Sequence, residues 1–254
     1  MDILSYLMNL AIWFSWYNDL LEEFDFKREE DEKSAKLLNN LLEDYGGLTP
    51  DDIPMQKEVI IFGAGPSIKN NIREVKNLNL SEYTLIAADG ATTALLEEDI
   101  VPDIIITDLD GKMKDIRCAN HEGAFLVVHA HGNNINKVRE HVPNLHRVLG
   151  TTQSTPLSNV YNFGGFTDGD RALFLAVELG AEYIILAGMD FGKIVTKYSR
   201  PDISGSEGKA DEIKELKLKY AKKLVEWVAE NEDVTILNLS RGERLEGVLA
   251  VNFR

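Results

Sequence analysis

The stretch Leu85 to Gly111, LIAADGATTALLEEDIVPDIIITDLDG, constrains the fold more than any other part of the chain. The apolar run Thr84 to Ala88 delivers Asp89-Gly90. After a short helical pattern, a second apolar run, Ile104 to Thr107, delivers Asp108 and Asp110. Both runs have the length and branching of buried strands, and Ala94-Leu95-Leu96 between them reads as a crossover helix. A β-α-β unit makes the two strands parallel, so Asp89, Asp108 and Asp110 gather at one carboxyl edge, where open α/β sheets bind ligands. Carboxylates gathered there repel one another unless a cation joins them. Carboxylate oxygens suit a hard ion, and Mg²⁺ usually takes one or two of them together with substrate phosphates. The expectation is a metal-nucleotide site in an α/β fold whose sheet is mostly parallel, open and flanked by helices.

The length of 254 residues allows one α/β domain with a helical extension. A formal net charge of -15, from 42 acidic residues, argues against nucleic acid or an anionic membrane as partner. The single cysteine, Cys118, excludes an intrachain disulfide and a cysteine-built zinc site. It is expected to be an incidental buried thiol in a reducing cytosol. The apolar run Ile3 to Phe14 is too short to span a bilayer, which takes about 20 apolar residues. It continues into an amphipathic pattern, and the reading is a cytoplasmic protein with a docked N-terminal helix.

Residues 1–54 are expected to form a small helical N-terminal segment of two helices parted near Asp25-Phe26, with Trp13, Trp16 and Phe24 used in packing. Gly46-Gly47 and Pro50 to Pro54 mark the boundary to an α/β nucleotide-binding catalytic domain over 55–254. That domain opens with the strand Val59 to Phe62, running into Gly63-Ala64-Gly65-Pro66-Ser67. Glycines between a strand and a helix let backbone N–H groups approach a phosphate, and Ser67 is placed to cap the helix. A plain tight turn explains the same residues almost as well, because neither a dinucleotide fingerprint nor a P-loop is complete.

Ala124 to His129 reads as a strand, with His129 and His131 on one side and both within reach of the cleft. No third histidine or cysteine completes a zinc set, which favours contact with substrate or phosphate. The polar, turn-like run Gly150 to Ser154 offers Thr151 and Gln153 for ligand hydrogen bonds. In NFGGFTDGDRA, Thr167 or Asp168 would cap the helix Ala172 to Leu179. Asp168 is a fourth carboxylate for the cluster, and Arg171 is a candidate phosphate ligand. Asp190, after the strand Tyr183 to Ala187, either closes the cleft or only ends its strand. Ile194 to Gly208 reads as a polar, mobile connection, and Asp211 to Asn231 as a helix whose lysines form a solvated face. Val234 to Leu239 supplies a last strand.

Two families share these motifs. Asp89-Gly90, Thr107-Asp108-Leu109-Asp110 and Thr167-Asp168 resemble the signature of the thiamin pyrophosphokinase superfamily, with Thr107 in the place of its usual glycine. GAGPS, HAHGNN, GTTQ and NFGGFTDGDRA, together with the aspartate motifs, resemble the archaeal-type 6-hydroxymethyl-7,8-dihydropterin diphosphokinase family from about Val59 onward. Asn133 stands where an aspartate is expected. The resemblance implies a thiamin pyrophosphokinase catalytic-domain-like fold, Mg²⁺ with ATP as co-substrate, and a reduced pterin as acceptor, as in the biosynthesis of folate-like cofactors. It carries over Asp89, Asp108, Asp110 and Asp168 as the Mg²⁺–ATP carboxylates.

On that footing Gly63, Gly65, Pro66, Ser67 and Gly90 would bind nucleotide, and Arg171 with His129 or His131 would stabilise the diphosphate or the leaving AMP. Asp110 would accept the hydroxyl proton. Gln153, Asn133, Asn134 and Asp170 are candidates for reading the pterin edge. The alternatives are a diphosphokinase for thiamin or another alcohol, a glycosyltransferase-like enzyme using a nucleotide sugar, and a nucleotide-binding module without catalysis. A homodimer is compatible with the sequence.

Overall fold

Side-chain alternation along the first strand sets the layers of the molecule. Strand β1 (Glu58–Phe62) sends Val59 and Ile61 into one core and Ile60 and Phe62 into another, as the two-residue period of a strand requires. A strand apolar on both sides needs cover on both faces, which is the condition for a parallel sheet between helices. The computed structural model describes residues 10–253. The part of the apolar N-terminal run before Leu10 lies outside them.

After helices α1 (Leu10–Glu23) and α2 (Arg28–Tyr45), the chain alternates strand and helix. It passes through β1, α3 (Ile68–Val75), β2 (Thr84–Ala88), α4 (Ala91–Leu96), β3 (Ile104–Thr107), α5 (Met113–His121) and β4 (Phe125–Ala130). Then come α6 (Ile135–His141), β5 (Val148–Thr152), β6 (Val160–Tyr161), α7 (Asp168–Glu178) and β7 (Tyr183–Ala187). A hairpin of β8 (Ile194–Thr196) and β9 (Glu207–Lys209) precedes α8 (Glu212–Asn231), β10 (Thr235–Asn238) and β11 (Leu249–Ala250).

Nine strands form one sheet in the order β11-β10-β7-β1-β2-β3-β4-β5-β6, every neighbouring pair parallel. The chain builds outward from β1 to β6, then returns to place β7 on the other side of β1. The carboxyl ends of β1 and β7 therefore bound a topological switch point, the place where such sheets open a ligand crevice. Helix α1 contributes Trp13, Tyr17 and Leu20 to the core shared with α7 and α8, while α2 contributes Ala35, Leu38 and Leu42 to the opposite core.

Several local expectations are corrected. Gly150 to Thr152 is not a turn but the end of β5, because β4 and β6 pair with it on both sides. The run Ile194 to Gly208 is an antiparallel hairpin, held down where Thr196 Oγ1 donates to Ala64 O at 2.7 Å. Helix α7 starts four residues before Ala172, since Thr167 and Asp170 form a capping box. Cys118 is exposed, because Ile116 and Ala119 take the inner face of α5. Among the described residues no helix is long and apolar enough to cross a membrane.

Candidate active site

The cleft lies at the carboxyl edge, with walls from the segments after β1, β2, β3, β4 and β7. Asp89 ends β2 in the left-handed region (φ 38°), and Leu109 adopts φ 66° between Asp108 and Asp110. Both are unusual conformations for residues with a side chain. The hydroxyl of Thr107 holds the pair of turns together: it donates to Asp89 Oδ1 at 2.6 Å and accepts the Leu109 N–H at 2.8 Å. Gly111 packs so closely that an added Cβ would lie 2.5 Å from Asp89 Oδ2.

Asp89, Asp108 and Asp168 offer oxygens within 4.8 Å of one another. Burial raises the Asp89 carboxyl well above the usual carboxylate range, and the charges of Asp168 and Asp110 push it further. Burial and the charge of Asp108 push Asp168 up to about 8, against the pull of Arg171. Burial works the same way on Asp108, but His131, Asp110 and Arg171 overcome it and hold that carboxyl well below the usual range. His131 Nε2 lies 3.0 Å from Asp108 Oδ2. Carboxylates this close stay ionised together only with a cation among them, so the donor set fits a divalent metal. Asp110 is exposed, lines the cleft and stands outside the three-oxygen group.

The glycine segment does other work than expected. The N–H groups of Gly63 and Gly65 donate to Ala187 O and Gly188 O, both at 2.8 Å, and the Ser67 N–H donates to Asp190 Oδ2 at 3.1 Å. These amides are spent inside the protein. The glycines permit close approach: a Cβ on Gly65 would meet Asp190 Oδ2 at 2.3 Å and Gly188 O at 2.6 Å. Gly63, Gly65 and Pro66 still line the cleft. Ser67 does not cap α3; its hydroxyl donates to Asp190 Oδ2 at 2.9 Å. Asp190 lines the cleft and its carboxyl is raised by burial. Gly90 also lines the cleft, beneath the hairpin, where a Cβ would lie 1.9 Å from Tyr198 O.

His131 lines the cleft, but His129 does not. The ring of His129 is buried behind it, with Nδ1 3.1 Å from Thr151 Oγ1, and burial with the charge of Arg171 depresses its pKa. Thr151 is thereby also withdrawn from the cleft. Asp170 is buried as the reciprocal cap of Thr167, accepting its N–H at 2.9 Å, and Asn134 is buried between Asp108 O and His129 O. Asn133, Thr167, Asp168, Gln153 and Arg171 line the cleft. Arg171 donates to Asp168 Oδ1 and to Gln153 Oε1, each at 3.3 Å.

Two groups of lining residues had no sequence signal. Helix α2 and the turn before it bring Phe26, Glu30 and Asp31, with Asp31 buried and accepting the Tyr17 hydroxyl at 2.6 Å and the Gly132 N–H at 2.7 Å. Helix α8 brings Lys214 and Lys217, so its lysines are not a uniformly solvated face. An acidic residue within a charged helical run would have signalled Asp31 only to a reader who knew where the helix docks.

The model of a family described as 6-hydroxymethylpterin diphosphokinase MptE-like matches residues 30–196. A 6-hydroxymethyl-7,8-dihydropterin pyrophosphokinase of Methanothermobacter thermautotrophicus is 53% identical over 230 residues, covering 90% of this chain and 99% of that protein. One of Methanocaldococcus jannaschii is 46% identical over 240 residues, covering 91% and 100%. Among solved structures, the MAf glycosyltransferase of Magnetospirillum magneticum AMB-1 aligns with a TM-score of 0.55 at 19% identity, over 89% of this chain and 38% of that one, a likeness of fold alone. The chain belongs to the 6-hydroxymethylpterin diphosphokinase MptE-like family.

Proposed function

We propose that the protein transfers the β,γ-diphosphoryl group of ATP to the hydroxymethyl oxygen of 6-hydroxymethyl-7,8-dihydropterin, giving the pterin diphosphate and AMP. The observation that carries this reading is the convergence of Asp89, Asp108 and Asp168 at the carboxyl edge of the sheet in a member of this family. In the reaction the hydroxymethyl oxygen forms a bond to the β-phosphorus. The bond from that phosphorus to the oxygen it shares with the α-phosphorus breaks, and AMP leaves with that oxygen. The hydroxyl proton passes to the carboxylate of Asp110, which is exposed in the cleft.

Asp89, Asp108 and Asp168 would hold Mg²⁺, which when bound neutralises charge on the phosphate oxygens. Thr107 orients Asp89, His131 orients Asp108, and Arg171 orients Asp168, so each carboxylate has a partner fixing its direction. Hairpin β8–β9 contributes Ile194 and Val195 to the wall, which shields the reacting groups from water. The net charge of -15 fits a cytoplasmic enzyme of small substrates, acting without nucleic acid or membrane.

The deciding experiment is AMP release from ATP and Mg²⁺ with the pterin, with thiamin, and with neither. AMP formed only with the pterin is the expected result. AMP with thiamin alone would replace the acceptor, and none with either would sink the diphosphotransferase reading.

A further inference from the structure

Five cationic or potentially cationic side chains line the cleft: Lys27, His131, Arg171, Lys214 and Lys217. Three of them are committed to carboxylates. Lys27 binds Asp25 at 2.6 Å, His131 meets Asp108, and Arg171 meets Asp168. Among the described residues Lys214 and Lys217 form no ion pair, whereas Lys222 on the same helix binds Glu243 at 2.9 Å. Lys217 Nζ lies 5.7 Å from the ring centroid of Phe166 and 5.8 Å from that of Phe26. Burial lowers its pKa, and the charges of Lys214 and Arg171 add to the effect while Asp108 and Asp110 oppose it. Lys214 sits in the first turn of α8, where the helix dipole disfavours a cation, and Lys217 lies one turn further on. An ammonium kept partly from water, beside other cations and without a carboxylate, is costly unless an anion arrives. A phosphate chain entering this cleft also lacks the amides of Gly63 and Gly65, which are already engaged.

We propose that Lys217, with Lys214 beside it, forms the cationic clamp for the polyphosphate chain of the nucleotide. Lys214 and Lys217 line the same cleft as Asp89, Asp108 and Asp168, so a phosphate chain there would meet both the carboxylates that would hold the metal and the lysines of α8. The rings of Phe26 and Phe166 lie beside the Lys217 ammonium and fix where it points. The inference rests on the reading of the protein as an ATP-dependent diphosphotransferase, but not on the identity of the acceptor.

The test is calorimetric titration of the full chain with Mg²⁺ and inorganic tripolyphosphate, and separately with adenosine, for wild type, Lys217→Met and Lys217→Arg. Methionine keeps an apolar stem over the two rings and removes the charge. The expected result is a loss of about 10- to 100-fold in tripolyphosphate affinity for Lys217→Met, the range of one charge-assisted contact, with adenosine binding unchanged and a melting temperature equal to or above that of the wild type. Lys217→Arg retains most of the affinity. Wild-type affinity for tripolyphosphate in Lys217→Met would overturn the clamp, as would equal losses for both probes together with a lower melting temperature. Absence of tripolyphosphate binding by the wild type would also overturn it. Neither probe contains the pterin or thiamin, so a wrong pterin assignment would appear only in the AMP assay and leave these titrations standing.

Discussion

Gln153 and Asp31, 122 residues apart, are joined by a hydrogen bond of 2.8 Å from Nε2 to Oδ2. The bond ties helix α2 to the end of β5, and Trp13 Nε1 of helix α1 secures the same place by donating to Gln153 O at 2.8 Å. The other end of the Gln153 amide accepts from Arg171, which in turn holds Asp168. A continuous path of polar contacts thus runs from the N-terminal helices to the carboxylate cluster. Asp31→Leu would leave the Tyr17 hydroxyl, the Gln153 amide and the Gly132 N–H without their acceptor in a buried place. The expected loss is about 3 kcal/mol or more in urea denaturation, with kcat/KM falling as well. Tyr17→Phe removes one donor and should cost about 1–2 kcal/mol with the site intact.

Thr107, at the end of β3, has a side chain with a task. Its hydroxyl bonds both Asp89 and the backbone of Leu109, so it sets the direction of one carboxylate of the cluster and the strained turn that carries Asp108 and Asp110. Thr107→Val keeps the volume and removes both bonds. Mg²⁺ affinity should fall about 10- to 100-fold, the usual cost of losing an outer-shell partner, while Thr107→Ser stays near wild type. Calorimetric titration with Mg²⁺ separates the two variants.

The central β-α-β unit was legible because apolar runs bounded by Asp-Gly and Asp-x-Asp leave a strand little freedom, and β2 and β3 span the residues the pattern indicates. Gly150 to Thr152 misled because polar residues at the end of a strand look like a turn until the neighbouring strands are known. His129 and His131 do share a side, their ring centroids 5.9 Å apart, but alternation says nothing about which ring stands in front. The glycines of GAGPS signalled close approach correctly, yet the approaching group is the loop after β7. Asp31 and Lys217 reach the cleft through the docking of whole helices, and such long-range placement leaves no local pattern in a single sequence.

The cluster also predicts how stability responds to pH. In metal-free protein Asp168 is raised from 3.8 to about 8, so between those values the native state holds a proton that the unfolded chain releases. Stability is therefore full below about pH 4 as far as this group is concerned, and is lost as pH rises through about 8. Asp89, raised by burial and the same neighbours, acts in the same direction. Asp108, held low, stays ionised across this window and adds no slope. With chelator present the melting temperature should fall from about pH 4 to about pH 8, and saturating Mg²⁺ should remove the fall. Parallel profiles with and without Mg²⁺ would disprove a metal among these carboxylates.

Asp108 and Asp110 lie two residues apart but should fail in different ways. Asp108 belongs to the three-oxygen group and meets His131, whereas Asp110 is exposed and gives its backbone N–H to Asp108 Oδ1 at 3.2 Å. Asp108→Asn should abolish turnover and weaken Mg²⁺ by more than the roughly 100-fold that marks the upper range of an outer-shell loss. Asp110→Asn keeps the shape and the backbone contact but removes the proposed proton acceptor. Its kcat should fall about 10²- to 10⁴-fold, with Mg²⁺ affinity close to wild type. Single-turnover AMP formation alongside Mg²⁺ titration distinguishes the two. Equal loss of metal affinity in both variants would make Asp110 a ligand and pass the proton to another group.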